Sequence, residues 1–169
     1  METKLPAPDA VAGDRTVLDG AALVARIRQW GHELGFDAVG VGGVDLAEAE
    51  PGLVAWLEAG FHGDMDYMAR HGMKRARAAE LLPGTVRVIS VRMGYWPDAA
   101  PALEVLADGE RAYVSRYALG RDYHKLVRNR LQKLADRISA EVAHQYRVFT
   151  DSAPILEVEH ASRKGLGWR

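Results

Sequence analysis

Apolar residues at Leu23, Ile27, Trp30 and Leu34 recur with the three-to-four-residue spacing of one helix face. The spacing predicts a helix that Asp19 caps at its start and Gly35 ends. The run Phe36–Gly42 is short, apolar and closed by glycines, which predicts a strand. Pro51 in a first turn and Gly60 as a stop frame a second helix over 51–59. Val86–Val91 is the most strand-like segment, and its apolar content predicts a central place in a sheet. The stripe Leu126, Leu131, Leu134, Ile138 and Val142 predicts the longest helix, over 122–144. A short strand over 147–150 follows. A last helix is expected over 155–164, with Pro154 suited to its first turn.

The segments between these elements differ in character. Residues 61–84 are rich in glycine, methionine and charge and lack a clean period; an irregular connection of that length is uncommon unless it does something. Residues 98–111 are expected to form a mobile acidic loop. Residues 1–16, with Pro6, Pro8 and Gly13, are expected to be a loosely held tail, leaving one domain over 17–169. Strands and helices intersperse, so the predicted class is α/β or α+β, with a three-layer arrangement allowed. The run Gly40-Val41-Gly42-Gly43 lacks the third spaced glycine of a dinucleotide fingerprint and is assigned to a turn.

Composition narrows the function classes. The chain has no cysteine, which excludes disulfides, thiolate metal sites and a thiol nucleophile within these 169 residues. A net charge of −1 is unlike a protein that grips nucleic acid with its whole surface. The charge is uneven, however. Met1–Glu50 carries 4 basic against 9 acidic residues, and Arg111–Arg137 carries 8 basic against 2 acidic. The basic stretch fits either a phosphate-binding face or a solvated helix face. No apolar run approaches the roughly 20 residues of a membrane span, and Met1–Arg15 lacks the basic start and apolar run of a secretion signal. A cytoplasmic, monomeric protein is expected.

Candidate chemistry concentrates late in the chain. Asp151 follows a predicted strand and precedes a predicted helix, a position from which α/β folds present reactive side chains. A carboxylic acid there can protonate a developing alkoxide. The local sequence equally allows Asp151, or Ser152, to be only the cap of the last helix. Tyr123 and His124 open the long helix, where a tyrosine can donate to a substrate or simply pack. Arg75 and Arg77 can hold amides or phosphates, or be merely solvated. Met65, Met68 and Met73 are assigned to core packing. His62 and His71 have no carboxylate–histidine spacing of a metal site, so no metal ligands are predicted.

Four segments carry a family resemblance. They are Phe61-His62-Gly63-Asp64-Met65-Asp66-Tyr67-Met68; Lys74-Arg75-Ala76-Arg77 leading to Leu81-Leu82-Pro83-Gly84; Ser115 through Lys125; and Phe149-Thr150-Asp151-Ser152-Ala153-Pro154. In this order and spacing the chain resembles the N-terminal half of epoxyqueuosine reductases, from about Leu18 to Trp168. The Ser115–Lys125 run is the most specific part.

The resemblance implies a flavin-reductase/nitroreductase-like sheet with packed helices, as in cobalamin-dependent reductases. It implies bound cobalamin and a substrate tRNA carrying epoxyqueuosine at the anticodon, whose epoxide is reduced to an alkene. It implies a cofactor cleft lined by Arg75, Arg116, Tyr117, Tyr123 and Asp151, with Asp151 as the proton donor, Tyr123 beside it and no protein histidine on cobalt. Two four-iron clusters would relay electrons from an unidentified donor, but cluster ligation needs thiolates. They are therefore expected only in a following domain that this chain lacks, and the chain alone is expected to be inactive. Two other functions compete: a flavin-binding nitroreductase-like enzyme, and an RNA-binding module using residues 111–137.

Overall fold

A computed structural model of the chain describes residues 19–168, so the tail expected over 1–16 lies outside the described residues. The order is helix α1 (Gly20–Glu33), strand β1 (Ala38–Gly42), helices α2 (Glu50–Glu58), α3 (Asp66–Arg70) and α4 (Ala78–Leu81), strand β2 (Val88–Arg92), then helices α5 (Ala102–Leu106), α6 (Tyr123–Glu141) and α7 (Glu157–Arg163). Single 3₁₀ turns lie at Ala47–Ala49, Gly72–Arg75 and Arg116–Ala118. This mixture is of the α+β class.

Asp19 caps α1 by accepting from the N–H groups of Ala21 and Ala22 at 3.0 and 3.1 Å. Gly35 ends α1 with a φ of 82°, a conformation that glycine adopts without a Cβ penalty. β1 and β2 pair antiparallel, with Val39 opposite Val91 and Val41 opposite Ile89. Alternation along a strand puts these four residues on one face, where α1 and α6 cover them. Leu23, Ile27, Phe36, Val39, Leu134 and Ile138 form the buried centre of that layer. Arg137 to Glu33 at 2.5 Å and Arg130 to the Gly35 carbonyl at 3.0 Å join α6 to α1 at its rim.

The opposite face carries Gly40 and Gly42, and there the segment that ends α7 crosses the sheet. A Cβ on Gly40 would stand 2.6 Å from Lys164 Cβ, so only glycine admits this approach. Arg92 fastens the same segment by donating to the Leu166 carbonyl at 2.8 Å. The arrangement is thus helices, sheet, helix.

Several expectations are corrected. Gly40 and Gly42 lie in β1 and not in a turn. β2 is not central: the described sheet has two strands. Residues 147–150 form no strand, because no neighbouring strand offers them a ladder among the described residues. Residues 61–84 contain the short helices α3 and α4, and 98–111 contains α5. α7 begins at Glu157, so Pro154 stands outside its first turn. Met65 is exposed and so is not core packing. Among the described residues no helix is long and apolar enough to cross a membrane.

Candidate active site

The site forms where the start of α6 meets the loop before α7. Asp122 sets the first turn of α6: its Oδ1 accepts from the His124 N–H at 3.0 Å. That turn aims Tyr123 at the loop, and its hydroxyl donates to Asp151 Oδ2. Asp151 has a φ of 52° and is the only non-glycine residue with positive φ among the described residues. Such a conformation is strained and concentrates at functional positions. The cap of α7 is Leu156, without a side-chain bond, so neither Asp151 nor Ser152 caps that helix. The geometry therefore removes the capping role that the local sequence had left open.

Two more groups converge on Asp151. His124 stacks on Tyr123 with ring centroids 4.0 Å apart; its Nε2 is 3.5 Å from Asp151 Oδ2 and its Nδ1 is 2.9 Å from Asp122 Oδ1. Glu157, half-buried in the first turn of α7, lines the same groove as Asp151. Burial first, and then the neighbouring Asp151 carboxyl, push the Glu157 carboxyl up to about 7. The bond to Asp151 and then burial push the Tyr123 hydroxyl up to about 12, so it holds its proton at neutral pH. Glu157 escaped the sequence reading because an acidic residue in a first helical turn is ordinary charge complementation of the helix end.

An open groove of about 680 Å³ runs past this cluster, lined among others by Leu53, Trp56, Tyr67, Arg75, Asp151 and Glu157. Arg75 is buried, and its fork is largely committed to backbone: Nε donates to the Met68 carbonyl at 3.2 Å and Nη2 to the Tyr67 carbonyl at 3.0 Å. Its own carbonyl accepts from the Leu156 N–H at 2.9 Å. Arg75 thus ties the α3 region to the loop beneath Asp151. Arg77 is clamped on Glu50 by two bonds of 2.7 and 2.9 Å.

A second hollow of about 590 Å³ is lined by Tyr95, Trp96, Tyr113, Arg116 and Tyr117, among others. The Arg116 guanidinium lies 4.4 Å over the Trp96 ring and donates to the Pro97 carbonyl at 2.8 Å. Tyr117 stands edge-on to both Tyr95 and Tyr123, with centroids 6.3 and 6.0 Å away. The predicted residues therefore divide. Asp151 and Arg75 share one hollow, Arg116 and Tyr117 the other, and Tyr123 bridges them. Tyr95 and Trp96 were missed, although two aromatics directly after an apolar strand were a visible signal.

Comparison with known proteins finds chains similar to this one. Residues 75–152, which include the whole Tyr123–Asp151 contact, match the family profile described as epoxyqueuosine reductase QueG, DUF1730. The chain is 57% identical over 162 residues to the epoxyqueuosine reductase of Pseudomonas aeruginosa, covering 95% of this chain and 45% of that protein. Over the stretch it spans, the chain is similar to the N-terminal part of these epoxyqueuosine reductases. The Vibrio cholerae epoxyqueuosine reductase is 60% identical over 152 residues, covering 89% of this chain and 41% of its own length. The chain thus spans under half the length of the epoxyqueuosine reductases it matches. Two solved epoxyqueuosine reductases share its fold. The selenomethionine-labelled one has a TM-score of 0.70 at 20% identity, over 88% of this chain and 40% of that one. The Streptococcus thermophilus one has a TM-score of 0.67 at 18% identity, over 86% and 39%.

The fold divides the basic stretch. Arg116, Arg130 and Arg137 are tied to protein groups. Arg121, Lys125, Arg128 and Lys133 are exposed at the start of α6 and along it.

Proposed function

We propose that this chain is the cobalamin-binding and proton-donating part of an enzyme that reduces the epoxide of epoxyqueuosine in tRNA to the alkene of queuosine. The observation that carries the reading is the Tyr123–Asp151 contact, with Asp151 in a strained conformation on the rim of an open groove.

The residues present fit a large, flat, amide-fringed cofactor. Tyr95, Trp96 and Tyr117 are 63%, 80% and 52% exposed and offer an aromatic shelf beside the groove. Both ring nitrogens of His124 face carboxylates, which agrees with leaving this histidine off cobalt. When bound, cobalamin would supply a reduced cobalt able to attack an epoxide carbon; the protein contributes position, proton delivery and exclusion of water. Arg75 and the Ser115–Tyr117 turn shape the walls. Asp151 delivers a proton to the oxygen that develops charge as the C–O bond breaks. The Tyr123 hydroxyl, which keeps its proton, orients the Asp151 carboxyl. In this reading the exposed cations of α6 meet tRNA phosphates. Two four-iron clusters, part of the same proposal, would draw their thiolates from outside these residues, since the chain has no cysteine.

The test is Asp151→Asn in a full-length epoxyqueuosine reductase carrying this sequence. Asn keeps the size and the bond from Tyr123 but cannot act as an acid. Turnover should fall by about 10²–10⁴-fold, with cobalamin still bound. Near-normal turnover with cofactor bound would overturn the assignment.

A further inference from the structure

The proton donor fixes which side of the Tyr123–Asp151 pair the substrate occupies. Asp151 opens on the groove lined by Leu53, Trp56 and Tyr67, and it does not line the hollow of Tyr95, Trp96 and Tyr117. An epoxide that takes its proton from Asp151 therefore lies in the groove, and the base that bears it lies close by. We propose that this groove is the subsite for the unpaired, epoxide-bearing base of the tRNA, with Trp56 as the residue on which the base stacks and Gly52 as the floor that admits it. The proposal rests on the reading of Asp151 given above and adds to it where the substrate base binds and what holds it.

Helix α2 builds one wall. Gly52, Leu53 and Trp56 line the groove at the three- and four-residue spacing of one helix face. A Cβ added to Gly52 would meet no protein atom within 4 Å, so packing does not call for a glycine there. Glycine is also a poorer helix former than alanine. Its missing side chain instead leaves room in the groove one turn from Trp56. His62 braces the Trp56 ring, with centroids 5.9 Å apart and the planes tilted by 47°.

The second wall carries Tyr67, 53% exposed and also held in place. The Arg75 guanidinium stands 5.9 Å from its ring centroid, and its hydroxyl donates to Met65 Sδ at 3.3 Å. Two fixed aromatic rings on one open groove suit a flat base, because every base offers a π-face and unpaired RNA bases are held by stacking. The volume of about 680 Å³ suits one such group, since pockets for small ligands run to roughly 300–1,000 Å³. Residues 67–75 carry Arg70, Lys74 and Arg75 and no acid. Arg70 and Lys74 are exposed, so the flanking phosphates find cations beside the groove. The other hollow serves a base less well: Arg116 already lies over the Trp96 ring, and Asp151 is out of its reach.

Substitutions in a full-length epoxyqueuosine reductase carrying this sequence test the proposal, each read by KM for tRNA, by kcat and by cobalamin affinity. Trp56→Ala should raise KM about 5–150-fold, the worth of one base–aromatic stack, with kcat changing less. Trp56→Phe, which keeps a π-face, should restore most of the loss. Gly52→Leu adds a side chain whose Cβ meets no protein atom, so the fold accepts it, and it should raise KM at least as far by filling the groove. Cobalamin should stay bound in all three. A normal KM in both Trp56→Ala and Gly52→Leu would overturn the proposal. So would loss of cobalamin from these variants with KM for tRNA unchanged, which would give the groove to the cofactor. Asp151→Asn separates this proposal from the reading beneath it. If Asp151→Asn is inactive while Trp56→Ala and Gly52→Leu bind tRNA normally, only the base subsite falls. If Asp151→Asn turns over normally while the other two still raise KM, the proton-donor reading falls and the base subsite stands.

Discussion

Glu157→Gln should make the chain more stable above pH 7 while leaving it nearly unchanged at pH 5. The carboxyl has an ordinary value of 4.5 and is pushed to about 7 in the fold. Between these values the native state holds a proton that the unfolded chain has lost, so stability falls as pH rises through this window. The loss is complete above the folded value. At about 1.4 kcal/mol for each pH unit, a fully buried group would forfeit at most about 3.4 kcal/mol. Glu157 is only half-buried and lines an open groove, so solvent screening reduces this to about 1–2 kcal/mol. Gln cannot ionise and escapes the loss. His160 opposes the trend in the wild-type chain: it is buried, and desolvation first and the charge of Lys164 second lower it to about 4. Its contribution is lost as pH falls from about 6.5 towards 4, so raw pH curves mix the two groups. The difference between wild type and Glu157→Gln isolates Glu157. Urea unfolding of both proteins at pH 5 and pH 8 measures it. A variant that is not stabilised at pH 8 relative to pH 5 would refute the burial that raises Glu157.

Three further outcomes are expected. Leu134 is 2% exposed at the centre of the layer between α6 and the sheet, and Leu134→Ala should cost about 2–5 kcal/mol in urea unfolding. In the ultraviolet titration of tyrosinate, one tyrosine should ionise near pH 12, and Asp151→Ala, which removes the acceptor of the Tyr123 hydroxyl, should bring it back towards 10, because that bond is its main cause. Charge reversal at Arg128 and Lys133 should weaken tRNA binding and reduce the dependence of log K on log salt by roughly 0.7–0.9 per lost phosphate contact. An unchanged slope would return these residues to a merely solvated helix face.

Much of the molecule was legible in the sequence because its causes are local. The caps at Asp19 and Gly35, the stripe of α6 and the apolar runs of β1 and β2 are periodicities and turn chemistry that neighbouring residues set among themselves. The family resemblance rested on the same kind of information, namely residue types at fixed spacing, and Asp151 and Tyr123 were singled out that way. Their contact was not, since 28 residues separate them and only the packing of α6 beside the loop before α7 closes that distance. The same holds for the glycines of β1. In sequence they read as a turn, but the passage of Lys164 over the sheet makes them the smallest possible floor. The strand expected over 147–150 failed for the converse reason, because a strand exists only where a partner lies alongside. Glu157 shows the limit most plainly. Its residue type and place in a first helical turn look routine, and its unusual proton affinity comes from burial and from a neighbour across a folded loop. Local spacing sets which elements form; desolvation and contacts between distant segments decide which of their side chains become chemistry.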